Sequence, residues 1–185
     1  MRFTLSHTSL PDLMVAERHP LNDGRGYLER VFCQEDLADV LQGKTIAQIN
    51  RTLTTTTGIV RGMHFQFPPH AEVKFVSCLK GEVFDVAVDL RKSSPTFLRW
   101  HAEILSEANR KTLIVPQGFA HGFQTLAENC ELLYLHTAAY AKAAEGALNA
   151  LDPGLAIAWP LPIAELSARD RGHPMLDAAF KGIIP

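Results

Sequence analysis

The sequence predicts an all-β fold, a barrel or sandwich with a few short helices, and three observations carry that expectation. Short segments rich in branched and aromatic residues follow one another at close spacing, with turn residues between them. One of them, residues 82–90, alternates strictly: Phe84, Val86, Val88 and Leu90 interleave with Val83, Asp85, Ala87 and Asp89. That period of two places one row in a core and the other, with both aspartates, on a more polar face. Helical periodicity is confined to short stretches.

In chain order, the first strand is expected over residues 27–33. A short helix follows over 34–41, where Leu37, Val40 and Leu41 share a face and Gly43 stops the pattern. Strands are then expected over 46–53, 59–65, 73–79 and 82–90, the last bounded by the turn residues Lys80-Gly81 and Lys92-Ser93-Ser94-Pro95. Four more follow over 97–105, 112–115, 118–126 and 131–137. The alanine-rich stretch 141–150 predicts a second helix ending before Asp152-Pro153-Gly154, and the tail from Leu161 mixes proline with a short helical pattern. No repeat, low-complexity tract or linker interrupts the chain. Its 185 residues suit a single domain over 1–185 with a substantial core.

Composition narrows the function classes. Hydrophobic content of 46% with 21% charged residues is that of a soluble globular protein, and a net charge of −2 argues against a nucleic-acid-coating role. No apolar run is long enough to span a bilayer, and the N-terminus lacks the apolar core of a signal peptide. Cys33, Cys78 and Cys130 form no Cys-x-x-Cys pair, which predicts reduced thiols and a cytoplasmic setting.

Two stretches carry the chemistry, Arg61-Gly62-Met63-His64-Phe65-Gln66 and Pro116-Gln117-Gly118-Phe119-Ala120-His121-Gly122-Phe123. Each sets one histidine, the side chain best suited to moving protons near neutral pH, in an apolar strand beside glycines that permit close approach. Pro116-x-Gly118-x-x-His121 matches the second motif of the cupin barrels. Metal-binding cupins place His-x-His in the first motif, whereas this chain reads His64-Phe65-Gln66, with Glu72 downstream. An amide is a poor ligand for transition metals, so no metal is expected.

Over almost its full length the chain resembles the dTDP-4-dehydrorhamnose 3,5-epimerase family. The resemblance rests on Asp23-Gly24-Arg25-Gly26-Tyr27, Gln48-Ile49-Asn50, the stretch from Arg61 to Gln66, Lys74, the run from Gly81 to Arg91 and Ser94-Pro95-Thr96-Phe97. It continues through the stretch from Pro116 to Phe123, Tyr134, Asp152-Pro153, Ile157-x-Trp159-Pro160 and Ser167-Ala168-Arg169-Asp170. It implies a cupin-type jelly-roll barrel, assembled as a homodimer. The implied enzyme epimerises a nucleotide-diphosphate-linked 4-keto-6-deoxyhexose at C3, C5 or both, without a cofactor. By the same resemblance His64 is the base, Asp170 its carboxylate partner, Tyr134 the acid and Lys74 the cation near the keto oxygen. Arg25, Arg61 and His121 match the substrate and diphosphate pocket, with Arg169 beside Asp170. Tyr27, Glu29, Gln48 and Asn50 match the nucleotide-side wall. The chain departs from the family pattern at Ser77, Ile114, Leu135, Ala139 and Ala150-Leu151.

These residue types suit the reaction on chemical grounds. A C–H beside a ketone is acidified because the anion spreads onto oxygen, and both C3 and C5 neighbour the C4 ketone. A carboxylate-paired imidazole can take that proton, a lysine can hold the enolate charge, and a tyrosine hydroxyl can reprotonate the opposite face. Single-site epimerisation or ketoisomerisation of a CDP- or GDP-linked sugar, a non-catalytic sugar-nucleotide-binding cupin and a metal-dependent cupin oxygenase remain open alternatives. His70, His101, His136 and His173 match no role and are assigned to the surface or framework, and Asp85 and Asp89 to polar rows of the fold.

Overall fold

The computed structural model describes residues 2–177 and 179–185. In chain order the strands are β1 (Phe3–His7), β2 (Met14–Arg18), β3 (Leu21–Asp23), β4 (Gly26–Leu28), β5 (Gln48–Thr54), β6 (Ile59–Gln66) and β7 (Lys74–Lys80). There follow β8 (Glu82–Asp89), β9 (Trp100–Ser106), β10 (Lys111–Val115), β11 (Phe119–Thr125), β12 (Cys130–His136), β13 (Glu145–Ala147) and β14 (Glu165–Leu166). Among the described residues two short helices, α1 (Ala38–Leu41) and α2 (Ala168–Arg171), and one 3-10 turn accompany them.

One sheet runs β1-β2-β10-β7-β12-β5 and the other β13-β6-β11-β8-β9, with β14 parallel to the start of β6. The inner rows of the two sheets interdigitate: Val15, Val76, Leu113 and Leu132 from the first meet Val83, Ala87, Phe119 and Phe123 from the second. This face-to-face pairing makes a jelly-roll barrel. Both outer faces are also covered. Phe75, Ile114 and Leu135 on the first sheet pack under Leu37 and Leu41 of the α1 segment. Val86, Val88 and Ala120 on the second pack under Leu148, Leu155, Leu166 and Ile183 from the C-terminal segment.

That double cover corrects the reading of residues 82–90. The row Phe84, Val86, Val88 and Leu90 packs under the C-terminal segment, while Val83, Asp85 and Ala87 look into the barrel, and Asp85 and Asp89 are both fully buried. Asp89 is a framework residue whose carboxylate accepts from the Ser94 hydroxyl at 2.6 Å, the Thr96 hydroxyl at 2.7 Å and the Arg91 guanidinium at 2.9 Å.

Other boundaries differ for local reasons. The expected strand over 27–33 shrinks to β4, which turns back on β3 where Asp23 accepts from the Arg25 backbone N–H at 2.8 Å. The strand expected from Phe97 starts at Trp100, because Leu98 takes a left-handed φ of 63° and its N–H bonds back to Asp89. The alanine-rich stretch 141–150 forms a 3-10 turn and β13 in place of a helix: Gly146 lies opposite Phe65 of β6, too close for any side chain. Tertiary packing overrides alanine's helix propensity there. β1 and β2 were not anticipated, and the helix over 34–41 is helical only over Ala38–Leu41.

Candidate active site

The site begins with two glycines. A Cβ on Gly62 would stand 2.5 Å from the Gly122 Cα, and one on Gly122 would stand 2.7 Å from the Arg61 carbonyl. Only glycine lets β6 and β11 approach this closely. The approach sets His64 and His121 opposite each other in register, with an irregularity just beyond.

His64 is half-buried, and its Nε2 donates to Asp170 Oδ1 at 2.7 Å across 106 residues of sequence. Asp170 is delivered by α2, where the Ser167 hydroxyl caps the helix by accepting from the Asp170 N–H at 3.0 Å. Burial pushes the Asp170 carboxyl up, but the His64 hydrogen bond and charge, with the Ser167 hydroxyl and the Gly62 N–H, hold it below the usual carboxylate range. His173 Nε2 reaches the same oxygen at 3.2 Å, its ring edge-on to that of His64.

Deeper in the barrel His121 Nε2 contacts Asp85 Oδ1 at 2.8 Å, and both side chains are buried. Burial drives the pair toward neutrality, His121 down and Asp85 up, against their mutual attraction. Tyr134 comes from the facing sheet. Its ring meets His121 edge-on with centroids 6.1 Å apart and stacks on His136 at 6.1 Å. Burial, then the Asp85 charge, pushes the phenol pKa well up, against the Thr52 hydroxyl and the Arg61 charge.

Lys74 is buried on β7, and its ammonium stands 3.4 Å from Glu72. Burial alone would raise the Glu72 pKa, yet His136, Lys74 and Gln66 hold it low. Gln66 occupies the metallo-cupin ligand position as a framework group: its amide donates to the His70 carbonyl at 2.9 Å and to Glu72, and accepts from the Ala141 N–H at 2.7 Å.

Two cavities meet at His64. One, of about 180 Å³, is walled by Gln48 and Asn50 of β5 with Lys74, His136, Tyr140 and Glu145. The other, of about 460 Å³, is walled by Arg61, Ser167, Arg169 and Asp170. The structure therefore brings His64, Asp170, Lys74, Tyr134, His121, Gln48, Asn50, Arg61 and Arg169 around one region. Arg169 is tied to Glu145 by an ion pair.

Three sequence-predicted residues lie elsewhere in this chain. Arg25 is exposed on the β3–β4 hairpin and pairs with Asp23. Tyr27 is exposed there under the Arg110 guanidinium, 5.4 Å from its ring centroid. Glu29 is held between Arg18 at 3.3 Å and Arg110 at 3.4 Å. The sequence reading gave no site role to Asp85, His136 and His173, and met Glu72 only as the downstream carboxylate of the cupin motif. For Asp85 a signal existed, since its row shares Val83 and Ala87.

The chain matches the family model described as dTDP-4-dehydrorhamnose 3,5-epimerase over residues 7–178. It is 41% identical over 175 residues to the dTDP-4-dehydrorhamnose 3,5-epimerase of Salmonella typhimurium, covering 94% of this chain and 95% of that one. The crystal structure of a dTDP-6-deoxy-D-glucose-3,5-epimerase from Legionella pneumophila in complex with dTDP-4-keto-L-rhamnose superposes with a TM-score of 0.90 at 34% identity, covering 99% of both chains. A dTDP-4-dehydrorhamnose 3-epimerase of Streptomyces niveus is 38% identical over 141 residues, 76% of this chain and 68% of that one. With a family match running nearly end to end and the same fold at more than a third of positions identical, the chain belongs to the dTDP-4-dehydrorhamnose 3,5-epimerase family.

Proposed function

We propose that this protein is an isomerase that converts dTDP-4-dehydro-6-deoxy-D-glucose to dTDP-4-dehydro-L-rhamnose by inverting C3 and C5. The observation that carries the reading is His64, paired to Asp170 at 2.7 Å on one wall, with Tyr134 approaching from the facing sheet. With Nε2–H committed to Asp170, the His64 lone pair lies on Nδ1, free to take the proton beside the ketone. Lys74 stabilises the enolate oxygen in a low-dielectric site. Tyr134, whose phenol is held protonated, delivers a proton to the opposite face. Arg61 and Arg169 are the guanidinium groups offered to the diphosphate, and Gln48 and Asn50 form the nucleotide-side wall.

The chemistry needs no metal or cofactor in this reading, because imidazole, ammonium and phenol cover abstraction, charge and return of the proton. The working unit is a homodimer. Its support is the β3–β4 hairpin, where Leu21, Tyr27 and Leu28 are all more than half exposed, so that Arg25 and Tyr27 are available to a neighbouring copy's pocket. Among the described residues no helix is long and apolar enough to cross a membrane, and the three cysteines are unpaired. Unpaired thiols support a cytoplasmic setting.

Proton NMR in D₂O with dTDP-4-keto-6-deoxyglucose tests the reading. Deuterium is expected at both C3 and C5, with conversion to the L-rhamno configuration and weaker turnover of CDP- and GDP-linked counterparts. Exchange at one carbon alone makes it a single-site epimerase. No exchange at either carbon removes the epimerase reading.

A further inference from the structure

We propose that His64, Asp170 and His173 form a binding site for a zinc-type divalent transition-metal ion, and that its occupation silences the base. The silencing rests on the reading of His64 given above, whereas the binding stands on the three side chains themselves. One donor atom from each lies within 4.8 Å of the other two. Both imidazoles already converge on one oxygen, Asp170 Oδ1, at 2.7 Å and 3.2 Å. Their rings stand edge to face, with centroids 5.5 Å apart and planes at 87°. Two imidazoles and a carboxylate are a donor set that Zn²⁺ and its neighbours accept, with water completing the shell. Around a tetrahedral ion the donors would sit about 3.4 Å apart, so the His64–Asp170 contact lengthens by less than about 1 Å while the two imidazole nitrogens, within 4.8 Å of each other, settle to the same spacing.

The third donor is held in place by the framework. The Asn149 side-chain amide donates to the Arg171 and His173 carbonyls at 3.0 and 3.2 Å, and the His173 N–H bonds to the Asp170 carbonyl. The His64 side chain, 34% exposed, opens the site to solvent. The cluster lies between β6 and α2 and shares only His64 with the cupin metal positions, which comprise Gln66, Glu72 and His121 besides.

Silencing follows from the valence of imidazole. A neutral ring has one N–H and one lone pair. In the metal-free site Nε2–H points to Asp170, leaving the lone pair on Nδ1 for the substrate. Ligation through Nε2 takes the lone pair there and moves the proton, through solvent, to Nδ1. The ring then has nothing with which to accept a proton from carbon.

Calorimetric titration with Zn²⁺, and visible absorption with Co²⁺, on the wild type, His173→Ala and His173→Gln test the proposal. Circular dichroism confirms that both variants are folded. One ion per chain is expected for the wild type, with affinity reduced about tenfold or more in both variants. Zn²⁺ should suppress wild-type exchange of the sugar protons, and EDTA should restore it. Equal affinity in all three proteins, or no saturable binding, overturns the site. Saturation with undiminished exchange overturns the silencing. If a His173-dependent site is found but metal-free enzyme never exchanges sugar protons, the function reading fails and the metal site stands.

Discussion

The Tyr134 hydroxyl carries its proton throughout the physiological range, as an ordinary phenol does, and burial moves its pKa further up. A phenol in that state donates but does not accept, which separates its role from that of His64. His64→Ala should lower solvent exchange at the reacting carbons by about 10²–10⁴, the usual value of a positioned base. Tyr134→Phe should leave exchange in place with little inversion, since His64 can return a deuteron to the face it came from. Lys74→Ala should suppress both events, because both pass through the enolate. Normal exchange in His64→Ala, or wild-type inversion in Tyr134→Phe, removes the assignment. Asp89 illustrates a different use of a buried carboxylate. Burial raises its pKa, but the Arg91, Ser94 and Thr96 hydrogen bonds bring it below the usual value. A depressed folded pKa stabilises above the unfolded value of about 3.9, and that stability is lost as pH falls through the lowered folded value. Asp89→Asn should cost about 1–3 kcal/mol at neutral pH and reduce the loss of stability on acidification, as read by urea unfolding from pH 7 to 3.

At the scale of elements, two short segments are set by a few local contacts. β13 exists because Gly146 can lie against the Phe65 ring, whose Cε2 would be 2.3 Å from an added Cβ. Gly146→Ala should cost about 1–3 kcal/mol through overpacking, seen as a lower midpoint in chemical denaturation. α2 has four residues, too few to persist alone, and depends on the Ser167 cap and on docking beside β6. Ser167→Ala should cost about 1 kcal/mol. It should also lower kcat more than it changes KM if, as proposed, Asp170, whose N–H the cap accepts, orients His64 as the base. Unchanged turnover in Ser167→Ala would separate the cap from catalysis.

At the scale of the molecule, the central strands of both sheets are covered on both sides, whereas the edge strands β1 and β5 are largely exposed. The β3–β4 hairpin and the β5 edge strand expose Leu21, Tyr27, Leu28, Ile49 and Leu53. Open edges and apolar hairpins invite pairing with another copy. Light scattering should therefore give about twice the 20.4 kDa chain mass, and Leu28→Asp should shift the population to monomer with loss of turnover. A fully active wild-type monomer would contradict the dimer. Prolonged EDTA treatment should leave turnover intact, and activity lost to chelation and restored by Zn²⁺, Fe²⁺ or Mn²⁺ would contradict metal independence.

What the sequence determined by itself was the all-β class, the run of strands β5–β12 and the family. Alternation is a local property, and in residues 82–90 it survives whatever the strand packs against. The motifs around His64 and His121 carried the family resemblance for the same reason, since their residues are contiguous. The pairing of His64 with Asp170 was legible only through the resemblance, because nothing local links residues so far apart. Tertiary structure alone decided the rest. It buried the Asp85 row by covering the other face of β8, turned an alanine-rich stretch into β13 against Phe65, and brought His173 to the carboxylate of Asp170. Each depends on register and close approach between distant segments, and those are set by the packing of the whole barrel, which no short window of sequence contains.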